Sequence, residues 1–327
     1  MKKWLWAEII ILVVVLLTAA GLYLVLPRFL EQPVEVQAAA APIRGRESVA
    51  PLTEELGATW KVYDQRTLTA HSAFVYDCQE EELLHVTGQL DAKLFPASVT
   101  KLFTTYVILG ILPPEKQITA GDALSLVRSN SSIAGIRKGD VLTVEKLIQA
   151  MLLPSGNDAA CILAVEAGRT LAGDSSLEVS AAVAVFMKEM NDRAAAEGLT
   201  GTHFVTPDGY HDPDHYTCLQ DMITIGQLAL SNETIAKYAA VSKVVTGLVA
   251  VPEWQNTNWL VRQETEYYCP YAKGLKTGRT TEAGNCLVSA FQVEDNWYII
   301  GVFGCTETAD RFADTLHLLN QSLGVTN

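Results

Sequence analysis

Positive charge is scarce in this sequence. Lys and Arg number 24 against 37 Asp and Glu among 327 residues, a formal net charge of −13. No basic stripe with interleaved aromatic residues occurs along it, which argues against a nucleic-acid partner. An acidic surface is also ill suited to lying flat on anionic lipid, so membrane contact must come from a dedicated segment. Cysteine is sparse as well. Cys78, Cys161, Cys218, Cys269, Cys286 and Cys305 form no Cys-x-x-Cys pair, so zinc and thioredoxin-type chemistry find no support. The apolar neighbours of Cys161, Cys286 and Cys305 mark them as buried thiols, and no particular disulfide is expected. Internal repeats are absent. What remains, 49% hydrophobic and 19% charged, suffices for one large domain or two modest ones.

One long hydrophobic run is present. Residues 9–26 are apolar except for Thr18, Gly21 and Tyr23, and about 18 such residues can cross a hydrocarbon core as a helix. Lys2 and Lys3 precede the run, which places the rest of the chain outside the cytoplasm. Trp4, Trp6, Tyr23 and Arg28 suit the two interfaces. Residues 1–28 are therefore expected to be a single-pass anchor. A signal cleaved within residues 38–41 is the alternative, and it would release a secreted domain. Pro27, Pro33, Pro42 and Pro51 surround an alanine tract, so residues 29–55 read as a linker. A single catalytic domain is expected over residues 56–327.

Within that domain residues 73–77 and 83–87 read as a strand pair. A helical block follows over residues 98–109, 144–153 (behind a Thr143 cap), 158–167 and 182–197. Strands return at 243–251, 285–291 and 297–304. Phe312, Leu316, Leu319 and Leu323 then repeat at helical spacing. Strands at both ends enclosing helices predict an α+β fold: one antiparallel sheet covered by helices, beside a mainly helical subdomain.

Three motifs occur once each and in order: Ser98-Val-Thr-Lys101, Ser155-Gly-Asn157 and Lys276-Thr-Gly278. Ser98 follows Phe95-Pro96-Ala97 and opens a predicted helix, where unpaired N–H groups favour negative charge. Lys101 lies one turn on and can reach the Ser98 hydroxyl. A serine becomes a good nucleophile only when a neighbour takes its proton. Lysine can do so only when neutral, the state of about one in a few thousand unperturbed copies at pH 7. Burial and a second cation, for which Lys276 is the candidate, both depress its pKa. Ser155 and Asn157, displayed on a loop after Pro154, could relay a proton and bind a peptide amide. Lys276 and Thr277, at the end of a predicted edge strand, could hold a carboxylate, with Gly278 permitting close approach. Each motif alone also fits a polar cap or turn, and their ordered combination is what carries the reading.

This set resembles the D-alanyl-D-alanine carboxypeptidases, the low-molecular-mass penicillin-binding proteins. The resemblance extends through Pro96–Thr105, Leu153–Ala160, Phe186-Met-Lys-Glu-Met-Asn191, Thr202-His-Phe-Val-Thr-Pro-Asp-Gly209, Asn256-Thr-Asn258 and Gly274–Gly284. It implies a beta-lactamase/transpeptidase-like fold and removal of the terminal D-alanine from peptidoglycan stem peptides, with beta-lactams as acylating inhibitors and no cofactor. It further implies Ser98 as acylated nucleophile, Lys101 as its base and Ser155 as proton shuttle. Asn157 would bind the peptide amide, and Lys276 and Thr277 the terminal carboxylate. The backbone N–H groups of Ser98 and Arg279 would form the oxyanion hole. The family often has Asn where this chain has Thr206. Its C-terminal beta-rich domain finds no counterpart after the 312–323 helix, so the N-terminal segment is expected to serve as the tether.

Two alternatives stay open at this level. One is a beta-lactamase, although no counterpart of a deacylating glutamate loop is evident. The other is a catalytically silent, membrane-tethered beta-lactam- or peptidoglycan-binding protein, which would have no need to keep Ser98, Lys101, Ser155 and Lys276 together. His203, His211 and His215 lie among Asp208, Asp212 and Asp214, but Pro207 and Pro213 break any regular helical face. That region reads as a surface loop, and no metal site is expected.

Overall fold

The computed structural model describes residues 66–323. The expected anchor and linker lie outside them, and among the described residues no helix is long and apolar enough to cross a membrane. The first elements are an antiparallel pair, β1 (Ser72–Asp77) and β2 (Glu82–Thr87). Ala73, Phe74 and Val75 are all buried, so β1 is covered on both faces, whereas β2 alternates exposed and half-buried positions as an outer strand does. A short 3-10 turn, Ala97–Thr100, then runs into helix α1 (Lys101–Leu109). The expected helix over 98–109 thus begins three residues late. Ala97 has φ +49°, outside the right-handed helical region, so the regular ladder starts only after it.

A small hairpin, β3 (Gln117–Thr119) with β4 (Val141–Thr143), leads into α2 (Val144–Leu152), where the Thr143 hydroxyl caps the Lys146 N–H at 3.1 Å. Helices α3 (Asn157–Ala172) and α4 (Val179–Ala196) follow. A Cβ at Gly168 would stand 1.8 Å from Ala182 O, so their close approach requires glycine there. Two further helices, α5 (Leu219–Ser231) and α6 (Glu233–Ala239), were not anticipated from the sequence pattern. The first carries Gly226 and three β-branched residues, a composition that weakens helix propensity. Packing compensates, since a Cβ at Gly226 would lie 2.9 Å from Ile299 Cγ2 on the sheet. Of the strand expected over 243–251, only β5 (Lys243–Val245) forms, paired with β6 (Glu253–Gln255); the chain turns at Gly247, φ +80°.

The strands β7 (Ala272–Thr280), β8 (Gly284–Val293) and β9 (Asn296–Cys305) complete the main sheet, and α7 (Asp310–Ser322) ends the described chain. The sheet order is β2-β1-β9-β8-β7, antiparallel throughout. This is the expected α+β arrangement. Both faces are buried. Val288, Ala290 and Ile299 join Phe74 against Leu102, Phe103 and Met222 of the helical block. Leu287, Phe291, Ile300 and Val302 meet Phe312, Leu316 and Leu319 of α7 on the other face. Each of the larger of these side chains contributes about 1.5–3 kcal/mol on burial. Covering both faces leaves β7 as the strand edge beside the 97–100 turn, with Lys276 in mid-strand and not at its end.

Asp314 ties residues 66–70 to α7. Fully buried, it accepts hydrogen bonds from Arg66 Nε (2.6 Å), Thr69 N (2.9 Å), Thr69 Oγ1 (2.9 Å) and Ala70 N (2.8 Å). Asp314→Ala would leave these donors without their carboxylate and should cost about 3 kcal/mol. A chemical-denaturation midpoint measures this. A loss below about 1 kcal/mol would show that water replaces the carboxylate.

Candidate active site

Ser98 lies half-buried on the turn that precedes α1. Ala97, just before it, holds the left-handed φ of +49° because two glycines let neighbouring backbone close around it. A Cβ at Gly209 would fall 1.9 Å from Ala97 O. One at Gly278 of β7 would stand 2.8 Å from Pro96 O and 3.2 Å from Ser98 N. The glycine of the third motif thus seats the edge strand directly against the serine of the first.

Lys101 opens α1 and is fully buried. Its Nζ lies 2.7 Å from Ser98 Oγ, 2.8 Å from Asn157 Oδ1 and 2.7 Å from Asp208 O. Asp208 O is a carbonyl and can only accept, as can Asn157 Oδ1; the serine hydroxyl can donate or accept. An ammonium satisfies the site by donating to all three oxygens, with the Ser98 hydroxyl turned to Asp208 O at 3.4 Å. A neutral amine satisfies it by donating to the first two and turning its lone pair to the hydroxyl. Burial lowers the Lys101 pKa to about 8. Lys276, equally buried, is held well below its ordinary value by burial and then by the charge of Lys101. Burial is the dominant cause for both lysines and by itself lowers Lys101, whose neighbouring Asp208, Cys161 and Asp158 act the other way. The expected depression of Lys101 by the charge of Lys276 is thereby corrected.

Ser155 has φ +65° on the turn between α2 and α3. Gly156 N donates to Ala150 O at 2.9 Å, and no Cβ fits there because Ala134 Cβ and Ala150 O would be 2.8 Å away. Asp158 fastens the 134–136 segment beside this turn by accepting from the N–H groups of Ala134 (2.9 Å), Gly135 (2.9 Å) and Ile136 (3.1 Å). Asn157, expected to meet a peptide amide, directs its carboxamide oxygen at Lys101.

On β7 the Thr277 hydroxyl meets that of Thr257 at 2.6 Å, while Lys276 Nζ donates to Thr277 O at 3.1 Å. Arg279 is exposed. Arg311, buried on α7, donates from Nη1 to Gly278 O at 3.0 Å, and its Nε has no partner among the described residues. Burial lowers its pKa to about 10. An open groove of about 620 Å³ adjoins the second and third motifs, lined by Pro154, Trp254, Asn256, Thr257, Trp259 and Arg311 among others.

The structure thus gathers Ser98, Lys101, Ser155, Asn157, Lys276, Thr277 and Gly278 on adjoining elements. Sequence reasoning missed Arg311, Thr257, Asp208 and His215 as members. Thr257 stood within the quoted Asn256-Thr-Asn258, and an arginine beside Phe312 on an amphipathic helix was a faint signal for Arg311. The expected surface loop over 203–215 is corrected: Asp208 and His215 are buried. The three histidines diverge, His203 Nδ1 onto Asp214 O (2.6 Å), His211 against the Phe95 ring (4.8 Å) and His215 onto Thr100 (2.8 Å). Among the described residues no group of three His, Cys, Asp or Glu could hold a metal ion.

A lysine whose pKa is lower in the folded state binds fewer protons folded than unfolded. Its cost to stability is complete below the folded value and disappears above the unfolded one. Unfolding free energy should therefore rise with pH between about 8 and 10.5 more steeply in the wild type than in Lys101→Met. Denaturant titrations across that range measure the difference; identical slopes would mean that Lys101 is charged when folded.

The model of the D-alanyl-D-alanine carboxypeptidase family matches residues 59–306. The D-alanyl-D-alanine carboxypeptidase of Streptomyces sp. (strain K15) is 31% identical over 245 residues, 72% of this chain and 80% of that protein. The carboxypeptidase DacF of Bacillus subtilis is 29% identical over 237 residues, 70% of this chain; the match spans only 56% of DacF. Among solved structures, the Streptomyces K15 DD-transpeptidase superposes with a TM-score of 0.70 at 28% identity, covering 79% of this chain and 98% of its own. Penicillin-binding protein D2 of Listeria monocytogenes, in its ampicillin-bound form, does so with a TM-score of 0.64 at 25% identity, covering 79% and 98%. With a family match across more than half its length, and the three motifs folded around one serine, the chain belongs to the D-alanyl-D-alanine carboxypeptidase family.

Proposed function

We propose that this protein is a serine-type D-alanyl-D-alanine carboxypeptidase that removes the terminal D-alanine of peptidoglycan stem peptides through an acyl-enzyme on Ser98. The observation that carries the reading is the 2.7 Å contact between Lys101 Nζ and Ser98 Oγ, made by a buried lysine whose other two partners are obligate acceptors. Ser98 Oγ attacks the carbonyl of the penultimate D-alanine as Lys101 takes its proton. The N–H groups of Ser98 and Arg279 stabilise the oxyanion, an effect worth about 3–4 kcal/mol in comparable sites. The C–N bond breaks as Ser155 relays a proton to the leaving amine. Water then cleaves the ester and restores Ser98. Lys276, Thr277 and the cation of Arg311 behind β7 supply the charge and hydroxyl that a terminal carboxylate needs. Asn157 serves the peptide amide once substrate draws its side chain from Lys101. The same serine would be acylated by beta-lactams.

We further assign residues 1–28 as a single-pass anchor, 29–55 as a linker and 56–327 as an extracytoplasmic catalytic domain. The apolar 9–26 run behind Lys2 and Lys3 supports this. Expressed in a bacterium, the full chain should stay with membranes after an alkaline carbonate wash, and deletion of residues 1–28 should abolish this. Release of the intact chain by the wash would overturn the assignment.

The function is tested by the intact mass of the full chain in detergent after exposure to benzylpenicillin. One adduct is expected on the wild type and none on Ser98→Ala, followed by D-alanine release from a peptide ending in D-Ala-D-Ala. Acylation should rise about tenfold from pH 7 to pH 9 as Lys101, with a pKa of about 8, loses its proton. An unmodified wild type with intact penicillin would favour a silent binder, and hydrolysed penicillin a beta-lactamase.

A further inference from the structure

The 203–217 segment is fastened at several points to the turn and helix that carry Ser98 and Lys101. Thr104 Oγ1 donates to Pro207 O at 2.7 Å, Lys101 Nζ to Asp208 O at 2.7 Å, and Gly209 packs on Ala97 O. A further attachment is His215, which is 2% exposed. Its Nε2 lies 2.8 Å from Thr100 Oγ1, and Thr100 Oγ1 lies 2.7 Å from Ala97 O. Its Nδ1 faces the backbone N–H groups of Val205 at 3.1 Å and Thr206 at 3.3 Å.

These contacts define the tautomer. Ala97 O can only accept, so the Thr100 hydroxyl proton is committed to it. Nε2 must then donate to the Thr100 oxygen, and Nδ1, facing two N–H groups, must accept. The ring is neutral with its proton on Nε2. Burial, which lowers its pKa to about 4, favours the same state.

We propose that His215 is a positioning residue for acylation, holding through Thr100 the turn that presents Ser98 and through Val205 and Thr206 the backbone that presents Asp208 O to Lys101. One ring thereby links two placements. Through Thr100 it reaches Ala97 O, the carbonyl of the residue whose φ of +49° sets the Ser98 elbow. Through the Val205 and Thr206 amides it anchors the loop carrying Asp208 O, which lies 2.7 Å from Lys101 Nζ and 3.4 Å from Ser98 Oγ. The direction of the Lys101 lone pair depends on where that oxygen stands. Small displacements in such a constellation reduce rate far more than binding.

The inference rests on Ser98 being the acylated residue. Its test uses the full chain in detergent with benzylpenicillin, separating the non-covalent binding constant from the acylation rate constant, with melting temperature and folded fraction measured for every variant. His215→Leu and Thr100→Val should each lower the rate constant about 10- to 100-fold while binding changes less than about threefold. The double variant should be no slower than the worse single one, because both act through one connection. His215→Gln, whose amide can donate to Thr100 and accept from the backbone, should recover to within about fivefold of the wild type. Should His215→Leu fail to fold, the near-isosteric Thr100→Val decides alone. Unchanged rate constants per folded molecule, losses that multiply in the double variant, or a His215→Gln as slow as His215→Leu would each overturn the positioning role. A wild type that forms no adduct overturns this inference together with the proposed function; a wild-type adduct with unaffected variants overturns this inference alone.

Discussion

The buried amine of Lys101 among three oxygens is the contact on which the site depends. A lysine taken wholly out of water is costly when charged, and it persists there because each of its N–H groups or its lone pair has a partner. Those partners come from separate parts of the chain: Ser98 from the preceding turn, Asn157 from the start of α3, and the Asp208 carbonyl from the loop before α5. Satisfying one nitrogen therefore requires three segments to converge. The left-handed Ala97 and the close approaches at Gly209 and Gly278 are the backbone conditions for that convergence.

The sheet provides the fourth side. With helices on one face and α7 on the other, the central strands β8 and β9 have no free surface, and the edge of β7 beside Ser98 is where an extended peptide can pair. Helix α7 does more than cover apolar residues. Arg311, from its first turn, bonds Gly278 O on β7, while Asp314 three residues later gathers Arg66, Thr69 and Ala70. A helix remote in sequence thus joins residues 66–70 to the strand that carries the third motif.

Much of this was legible in the residues. The apolar stretches at 285–291 and 297–304, and the helical spacing through Phe312, Leu316 and Leu319, marked elements that form, with β8 and β9 buried on both faces of the sheet. The three motifs named seven residues that the fold brings together. Helix α5 escaped because Gly226 and its β-branched residues weaken the local signal, and only packing on Ile299 explains that glycine. The 243–251 strand was overextended because Gly247 turns the chain after three paired residues. Arg311 and His215 were missed for another reason: each acts across a long separation, on Gly278 and on Thr100.

By itself the sequence determined the family, the fold class and the identities of the serine, lysines and glycines, because these follow from short-range order and from residue chemistry. Only the tertiary structure decided that Lys101 is fully buried, that Asn157 faces it, that a carbonyl at Asp208 is its third partner and that Arg311 lies behind β7. A pKa depends on desolvation and on charges within a few ångströms. Both are set by which distant segments meet, and local pattern carries no record of that.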